Sequence, residues 1–72
     1  MKITATGKIE KKGFGFGTWA FTTNEGTTYE LYEPPTELAR EIETITIEGI
    51  IREDIMTIAN IGQVLEVQSF QV

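Results

Sequence analysis

Apolar and polar residues alternate along most of this chain, and a period of two predicts β-strands. In the first such segment Ile3, Ala5, Gly7 and Ile9 share one phase, while lysine, threonine and glutamate fill the other. Five segments show the pattern: 2–10, 17–23, 27–32, 44–52 and 64–72. Strands two and three are predicted to form a hairpin, because the residues 24–26 between them tolerate positive φ.

The alternation is interrupted near glycines, and each interruption predicts a bend or a bulge. Gly7 falls on the apolar phase, where a missing side chain lets a strand bend or admit another backbone. The aromatic residues on either side of Gly17 differ in phase, so a break is predicted there. Strand four is predicted to bulge at Gly49, and strand five to bend before Phe70.

A short helix is predicted between strands three and four. Pro34 and Pro35 end strand three, because proline cannot donate to a β-ladder. Helical spacing follows over 36–42, with Thr36 as the N-cap and with Leu38 and Ile42 placed to bury one face. A helix of about two turns is stable only when it is docked on the rest of the protein.

The apolar phases of these elements define a predicted core. It comprises Ile3, Ile9, Trp19, Phe21, Tyr29, Leu31, Leu38, Ile45, Ile47, Leu65 and Val67. Trp19 is included because aromatic residues dominate burial in small domains. Tyr32 is out of phase with its neighbours and is expected at the surface.

Three strands, a helix and two further strands follow the order of the five-stranded Greek-key barrel called the OB-fold. The predicted fold class is therefore all-β with a small α contribution, arranged β1-β2-β3-α-β4-β5. An SH3-like barrel is the alternative, since it packs five short strands into a similar length. With 72 residues, the chain has room for a single domain over 1–72.

Composition narrows the possible chemistry. The chain contains no Cys and no His, so disulfides, thiolate or imidazole metal sites and Ser-His-Asp triads are excluded. Glu53 and Asp54 are followed by Ile55-Met56 rather than by further oxygen ligands, so no metal site is predicted there. No cofactor, enzymatic activity or membrane association is expected. Without an apolar run long enough for a signal peptide, a cytoplasmic location is expected.

Charge is distributed unevenly along the chain. Residues 1–23 carry four lysines against Glu10 alone, a net charge of +3, whereas 24–72 carry two arginines against ten acids, a net charge of −8. Phosphate binding scales with the number of cationic contacts. A polyanion would therefore find one attractive end, and only modest, salt-dependent affinity is expected.

The segment Lys12-Gly13-Phe14-Gly15-Phe16 supports two interpretations. Its aromatic residues stack on unpaired bases while nearby lysines hold phosphate, or its glycines form a barrel corner and its aromatics join the core. It resembles the first RNA-binding motif of cold-shock domains, which implies single-strand binding. The chain departs from that family at 8–10, which lack aromatic residues, and at 29–32, which lack the closing His. The candidate nucleic-acid contacts are Lys8, Lys11, Lys12, Phe14, Phe16 and Tyr32.

A second resemblance covers nearly the whole chain. Gly17-Thr18-Trp19-Ala20-Phe21, Tyr29-Glu30-Leu31, Ile47-Glu48-Gly49 and Gly62-Gln63-Val64-Leu65-Glu66-Val67 are similar to segments of small, uncharacterised bacterial OB-type proteins. This resemblance implies the fold, and it implies no catalytic activity because none of the four segments is a catalytic motif.

The connection between strands four and five holds more aliphatic residues than a loop tip requires. Ile55, Met56, Ile58 and Ile61 are the candidate protein-interaction patch, with capping of the barrel end as the alternative role. The sequence thus predicts a non-enzymatic binding module, monomeric or weakly dimeric, that acts through an unknown protein partner. Weak binding of single-stranded nucleic acid is the alternative function.

Overall fold

The computed structural model describes residues 1–12, 18–55 and 61–72. Within these ranges the regular secondary structure is β, as predicted, apart from one short 3₁₀ helix. The five strands are β1 (Lys2–Lys12), β2 (Thr18–Thr23), β3 (Thr28–Leu31), β4 (Ile42–Arg52) and β5 (Gln63–Gln71). The predicted break at Gly17 lies outside the described residues.

The strands form one mixed sheet that closes on itself in the order β1-β2-β3-β5-β4. Pairing is antiparallel except between β3 and β5, which run parallel over the three pairs from Tyr29–Gln63 to Leu31–Leu65. β1 is long enough to serve two neighbours, β4 with its first part and β2 with its last. Only the stretch from Gly7 to Ile9 lies between both.

The predicted hairpin between β2 and β3 is confirmed. Gly26 adopts a φ of 96°, and its amide donates to the carbonyl oxygen of Thr23 at 2.9 Å. The Thr23 hydroxyl accepts a further bond from the amide of Thr27 at 3.1 Å. Asn24 donates to the carbonyl oxygen of Thr6 at 2.9 Å, so the turn is also tied to β1.

The strand register confirms the predicted irregularity at Gly7 and the predicted bend before Phe70, but it places the bulge beside Gly49 in β5 rather than in β4. A β-carbon on Gly7 would overlap the backbone of Thr22, and the β1–β4 register shifts directly after this glycine. The β4–β5 register shifts between Glu48 and Gly49, which leaves Gln68 as an extra residue in β5. The missing side chain at Gly7 lets two backbones approach where β1 turns from β4 toward β2.

The predicted helix over 36–42 is wrong in extent. Only Thr36–Leu38 form a single 3₁₀ turn, the N-cap is Pro35 rather than Thr36, and Ile42 is the first residue of β4. Ile42 is buried opposite Ile9. Because strand pairing and burial at Ile42 outweigh the weak helix propensity of so short a segment, the turn stops early. No helix in the described ranges is long and apolar enough to cross a membrane.

The core lies inside the closed sheet and is largely as predicted. Seven of the predicted residues are buried: Ile9, Phe21, Leu31, Leu38, Ile45, Ile47 and Leu65. The other four pack against this core but are only partly buried: Ile3, Trp19, Tyr29 and Val67. Trp19 is thus not a fully buried core residue, since it lies near the start of β2, opposite the exposed Lys11.

Alternation did not predict a second buried row on the outer side of the sheet. Ala20, Glu30 and Val64 have the opposite phase to the buried Phe21, Leu31 and Leu65, yet all three are buried. The register places them side by side across β2, β3 and β5. At these positions the sheet therefore excludes water from both of its faces.

Candidate interaction surfaces

The lysines of β1 form a small group at the end of the strand. Lys8, Glu10 and Lys12 alternate along β1 and so share the outer face. Both lysine ammonium groups approach the Glu10 carboxylate, at 3.9 Å from Lys8 and 3.6 Å from Lys12. The structure therefore brings two of the predicted phosphate contacts together, but with a carboxylate between them.

Lys11 lies on the other face of β1, opposite Trp19. Its Nζ atom is 5.9 Å from the centre of the indole ring, within the range of a cation–π contact. The partly buried indole packs against the core and meets a lysine of its own chain. Trp19 is thus partly covered by the core and by Lys11, and it is not an open platform for a base.

The remaining predicted nucleic-acid contacts do not join this group. Phe14 and Phe16 lie outside the described residues. Tyr32 follows β3, and β2 stands between it and β1. Its ring lies 5.9 Å from the guanidinium carbon of Arg52, on the side of the sheet where β5 meets β4. Tyr32 is half-buried, so it lies outside the core but is less exposed than the predicted surface position implies.

Arg52 organises the start of the connection between β4 and β5. Its Nε and Nη2 atoms donate to the two carboxylate oxygens of Asp54 at 3.0 and 2.8 Å, and Nη1 donates to Glu66 at 2.6 Å. A planar guanidinium is suited to such two-point bonding. We call Arg52, Asp54, Glu66 and Tyr32 the Arg52 cluster.

The ionisation of this cluster follows from its hydrogen bonds. The bonds from Arg52 hold the pKa of Asp54 below its usual range, and the two carboxylates raise the pKa of Arg52. A hydrogen bond to Glu33, together with the charge of that residue, raises the pKa of Tyr32. At neutral pH the cluster therefore holds a cationic Arg52, an ionised Asp54 and a neutral Tyr32.

The predicted protein-interaction patch is only partly described. Ile55 and Ile61, at its two ends, are half-buried. Met56 and Ile58 lie outside the described residues. The connection ends tightly, because a β-carbon on Gly62 would overlap the carbonyl oxygen of Thr28. The ends of this connection, residues 53–62, are thus held by the Arg52 cluster and by β3.

Asp54 is bonded to Arg52, which leaves Glu53 beside it without a second carboxylate for a metal ion. Among the described residues no group of three carboxylates could hold one.

Two depressions in the described surface have volumes of about 320 and 400 Å³. The smaller is lined by residues 4–6 of β1 and 23–25 of the hairpin turn, and the larger by 8–10 of β1 and 41–43 around the start of β4. Polar residues make up most of both linings: threonines with Asn24 and Glu25 in the smaller, and Lys8 with three glutamates in the larger. They lack the apolar enclosure that small-molecule sites usually have.

A third surface was missed by the sequence analysis. β5 pairs with β3 only from Gln63 to Leu65, and beyond that point β4 is its sole neighbour among the described strands. We call Val67–Gln71 the β5 edge. Phe70 is 37% exposed and Val72, just past the edge, is 73% exposed. The pairing partners of β5 are not readable from its own alternation, so no sequence signal marks this edge.

Comparison of the chain with protein-family models, with curated proteins and with solved structures finds no match. Function must therefore be inferred from three surfaces: the lysine group of β1, the connection 53–62 and the β5 edge.

Proposed function

We propose that this protein is an OB-type barrel that acts as a non-enzymatic binding module for a protein partner. The closed order β1-β2-β3-β5-β4, with β1 shared between β2 and β4, supports the OB-fold over the SH3-like barrel. The absence of Cys and His, and of a carboxylate cluster in the described part of the chain, favours a non-enzymatic role. A cytoplasmic monomer or weak homodimer is part of the same proposal.

One observation carries the choice of a protein over a nucleic acid: all six lysines and arginines are described, and each contacts a group of its own chain. Four are paired with carboxylates: Lys2, Lys8, Lys12 and Arg52. Lys11 lies over Trp19, and Arg40 donates to the carbonyl oxygen of Glu37. Exposed ion pairs are weak and can exchange. Each exchange with a phosphate would nevertheless leave a carboxylate beside that phosphate, in a chain whose net charge is −5.

The proposed contact surface is the connection 53–62. Its aliphatic residues are more than the few needed to join neighbouring strands, and apolar patches mark interaction sites. The Arg52 cluster and Gly62 hold its two described ends in place against the sheet. Met56 is the proposed central contact, because an unbranched thioether adapts to irregular surfaces.

Weak binding of single-stranded nucleic acid is the second candidate function. Lys8 and Lys12 share a face directly before the Phe14–Phe16 segment, which favours a local contact with one or two phosphates.

The protein-binding proposal is tested by replacing Met56 and Ile58 together with serine, with Thr57→Ser as the matched control in the same segment. We expect the double variant to lose association with partners captured from the source cell while its unfolding midpoint stays close to that of the control. A loss of several kcal/mol instead would assign the connection to a capping role, as expected for buried aliphatic residues. Unchanged stability together with unchanged association would reject both roles.

The nucleic-acid alternative is tested by titrating single-stranded oligonucleotides at physiological salt. We expect no sub-micromolar binding, because few cations are free of carboxylates. A sub-micromolar, salt-sensitive complex that is lost when Phe14 and Phe16 are both replaced by alanine would reverse the ranking of the two functions.

A further inference from the structure

The β5 edge belongs to a three-stranded part of the sheet that has two free sides. β4 is its central strand, and the first part of β1 and the last part of β5 flank it. In the described part of the chain, no strand lies beyond Lys2–Ala5 of β1 or beyond Val67–Gln71 of β5. Backbone groups along such a side are available to another extended chain.

Apart from the bulge at Gln68, the β5 edge lacks the devices that usually protect a free strand. Lysine, proline and inward-pointing charges keep natural edges from pairing with other chains. Residues 67–72 contain no charged residue and no proline, and 68–72 are exposed. The extra residue Gln68 bends the strand, but Ser69, Phe70 and Gln71 resume pairing with β4 directly after it. Three consecutive residues with regular pairing and an apolar side chain at the centre are thus left open.

The surroundings of this edge are acidic. The Ser69 hydroxyl donates to Glu48 on the neighbouring strand at 3.2 Å, and Glu66 precedes the edge on β5. Both carboxylates already pair with a cation of the chain, Glu48 with Lys2 and Glu66 with Arg52, and exposed ion pairs of this kind are weak and can exchange. The chain leaves β3 where the amide of Tyr32 donates to Leu65, and it next joins the sheet at Ile42. This second connection, residues 32–41, starts beside Leu65, just before the β5 edge begins. It carries the exposed Glu33 and Glu37.

The one arginine of the same connection does not offset the charges of Glu33 and Glu37. Arg40 donates its Nε–H to the carbonyl oxygen of Glu37 at 3.2 Å, so its side chain folds back along its own segment. An acidic rim around an uncharged edge is complementary to a strand whose side chains are positively charged.

We propose that the β5 edge binds an extended, lysine- or arginine-rich segment of a partner protein, which adds to the sheet as a further strand. Main-chain hydrogen bonds to 67–71 supply the affinity, and the flanking glutamates supply the preference for basic side chains. Phe70 offers an apolar contact to alternate side chains of the partner strand. A second copy of this chain is disfavoured as the occupant, because two copies of net charge −5 repel each other.

This inference rests on the proposed protein-binding function but names a surface separate from the connection 53–62. The probe is a ten-residue peptide of alternating valine and lysine, titrated into the full chain by calorimetry. The matched peptides carry glutamate in place of lysine, or methyl groups on alternate backbone nitrogens. The protein variants are Gln71→Lys and Gln71→Glu at the exposed edge, with Met56→Ser/Ile58→Ser as the variant of the other surface.

We expect the lysine peptide to bind, and the glutamate and N-methylated peptides to bind at least about tenfold more weakly. Gln71→Lys should weaken the lysine peptide about threefold and Gln71→Glu should strengthen it by a similar factor, as one cross-strand charge pair would. The Met56→Ser/Ile58→Ser variant should bind the lysine peptide as tightly as the unaltered chain.

Four outcomes would overturn the inference. Equal binding of the lysine and N-methylated peptides would exclude strand addition, and no binding of the lysine peptide would exclude this class of partner. Self-association that Gln71→Lys abolishes would make a second copy the occupant. If binding instead depends on Met56 and Ile58, the inference fails while the proposed function stands. The opposite result is that the Met56→Ser/Ile58→Ser variant keeps its association with partners while the Gln71 variants still change binding of the lysine peptide. In that case the connection 53–62 is not the contact surface, and the inference about the β5 edge stands.

Discussion

The two free sides of the three-stranded sheet differ in how they meet solvent. On the β1 side, Lys2 places a charge at the start of the strand and pairs with Glu48 at 3.5 Å. The hairpin turn leans against the end of the same side, where Asn24 donates to Thr6. On the β5 side no charge and no turn intervenes between Val67 and Gln71 in the described structure. One side is protected against pairing and the other is open.

This difference shows that conspicuous residues and available surface do not coincide. β1 carries four lysines and leads into an aromatic and glycine-rich segment, yet its described cations are already in contact with Glu10, Glu48 and Trp19. The end of β5 reads as an ordinary strand, yet no described strand lies along its outer side, and Phe70 is exposed there. The end of β5 is thus a better candidate binding surface than β1.

The comparison presupposes that both sides rest on one core, and the largest expected effect tests that core. Phe21 is fully buried, so Phe21→Ala should cost about 3 to 5 kcal/mol of unfolding free energy. Trp19 is only partly buried, so Trp19→Ala should cost about 2 kcal/mol, less than full burial would imply. Urea unfolding of both variants checks the order. A Trp19 variant that loses as much as the Phe21 variant would make Trp19 a core residue after all.

The next effect concerns the bend at Gly7. It separates the part of β1 that pairs only with β4 from the part that pairs with β2. Gly7→Ala should cost about 3 kcal/mol, because the new methyl group meets the rigid backbone of Thr22. Gly26→Ala is the control: nothing lies near its β-carbon, and only its positive φ opposes the change, at about 1 kcal/mol. Thermal unfolding of the pair measures both costs. Equal costs would contradict the close backbone contact at Gly7.

The smallest effect concerns the ionic anchor at the paired end of β5. The pKa of Asp54 is lowered in the folded state, so its bonds with Arg52 stabilise the protein above about pH 4. That contribution is lost as the pH falls through the lowered pKa. Asp54→Asn should therefore be less stable than the unaltered chain at pH 7, with the difference shrinking below pH 4. Denaturation midpoints measured from pH 7 to pH 2.5 check this, and Glu53→Gln is the neighbouring control.

Much of the fold could be predicted because strands leave a direct record in the sequence. Alternation gave all five strands, and interruptions at Gly7 and Gly49 marked real register shifts. The helix was overestimated because the spacing of Leu38 and Ile42 fits a helix equally well as a turn followed by a strand. The buried outer row of Ala20, Glu30 and Val64 could not be predicted, since it depends on which strands become neighbours.

The candidate surfaces could be predicted only where the residue type was itself the signal. The lysines of β1 and the aliphatic residues of 53–62 stand out by composition, whereas their partners do not. Glu10 between Lys8 and Lys12 was readable from spacing, but the contacts of Arg52 with Glu66 and Tyr32 require the register of three strands. The β5 edge is defined by the lack of a second neighbouring strand among the described residues. The sequence of β5 carries no sign of that lack.

Amide hydrogen exchange of the full chain, with and without the valine–lysine peptide, tests most directly whether a partner strand binds along β5 rather than along β1. At a free peptide concentration tenfold above its Kd, exchange at outward-facing amides of Val67–Gln71 should slow about tenfold, while the amides of Lys2–Ala5 keep their rates. Slowing at Lys2–Ala5 with no change at Val67–Gln71, or equal slowing on both sides, would contradict the distinction between a protected and an open side of this sheet.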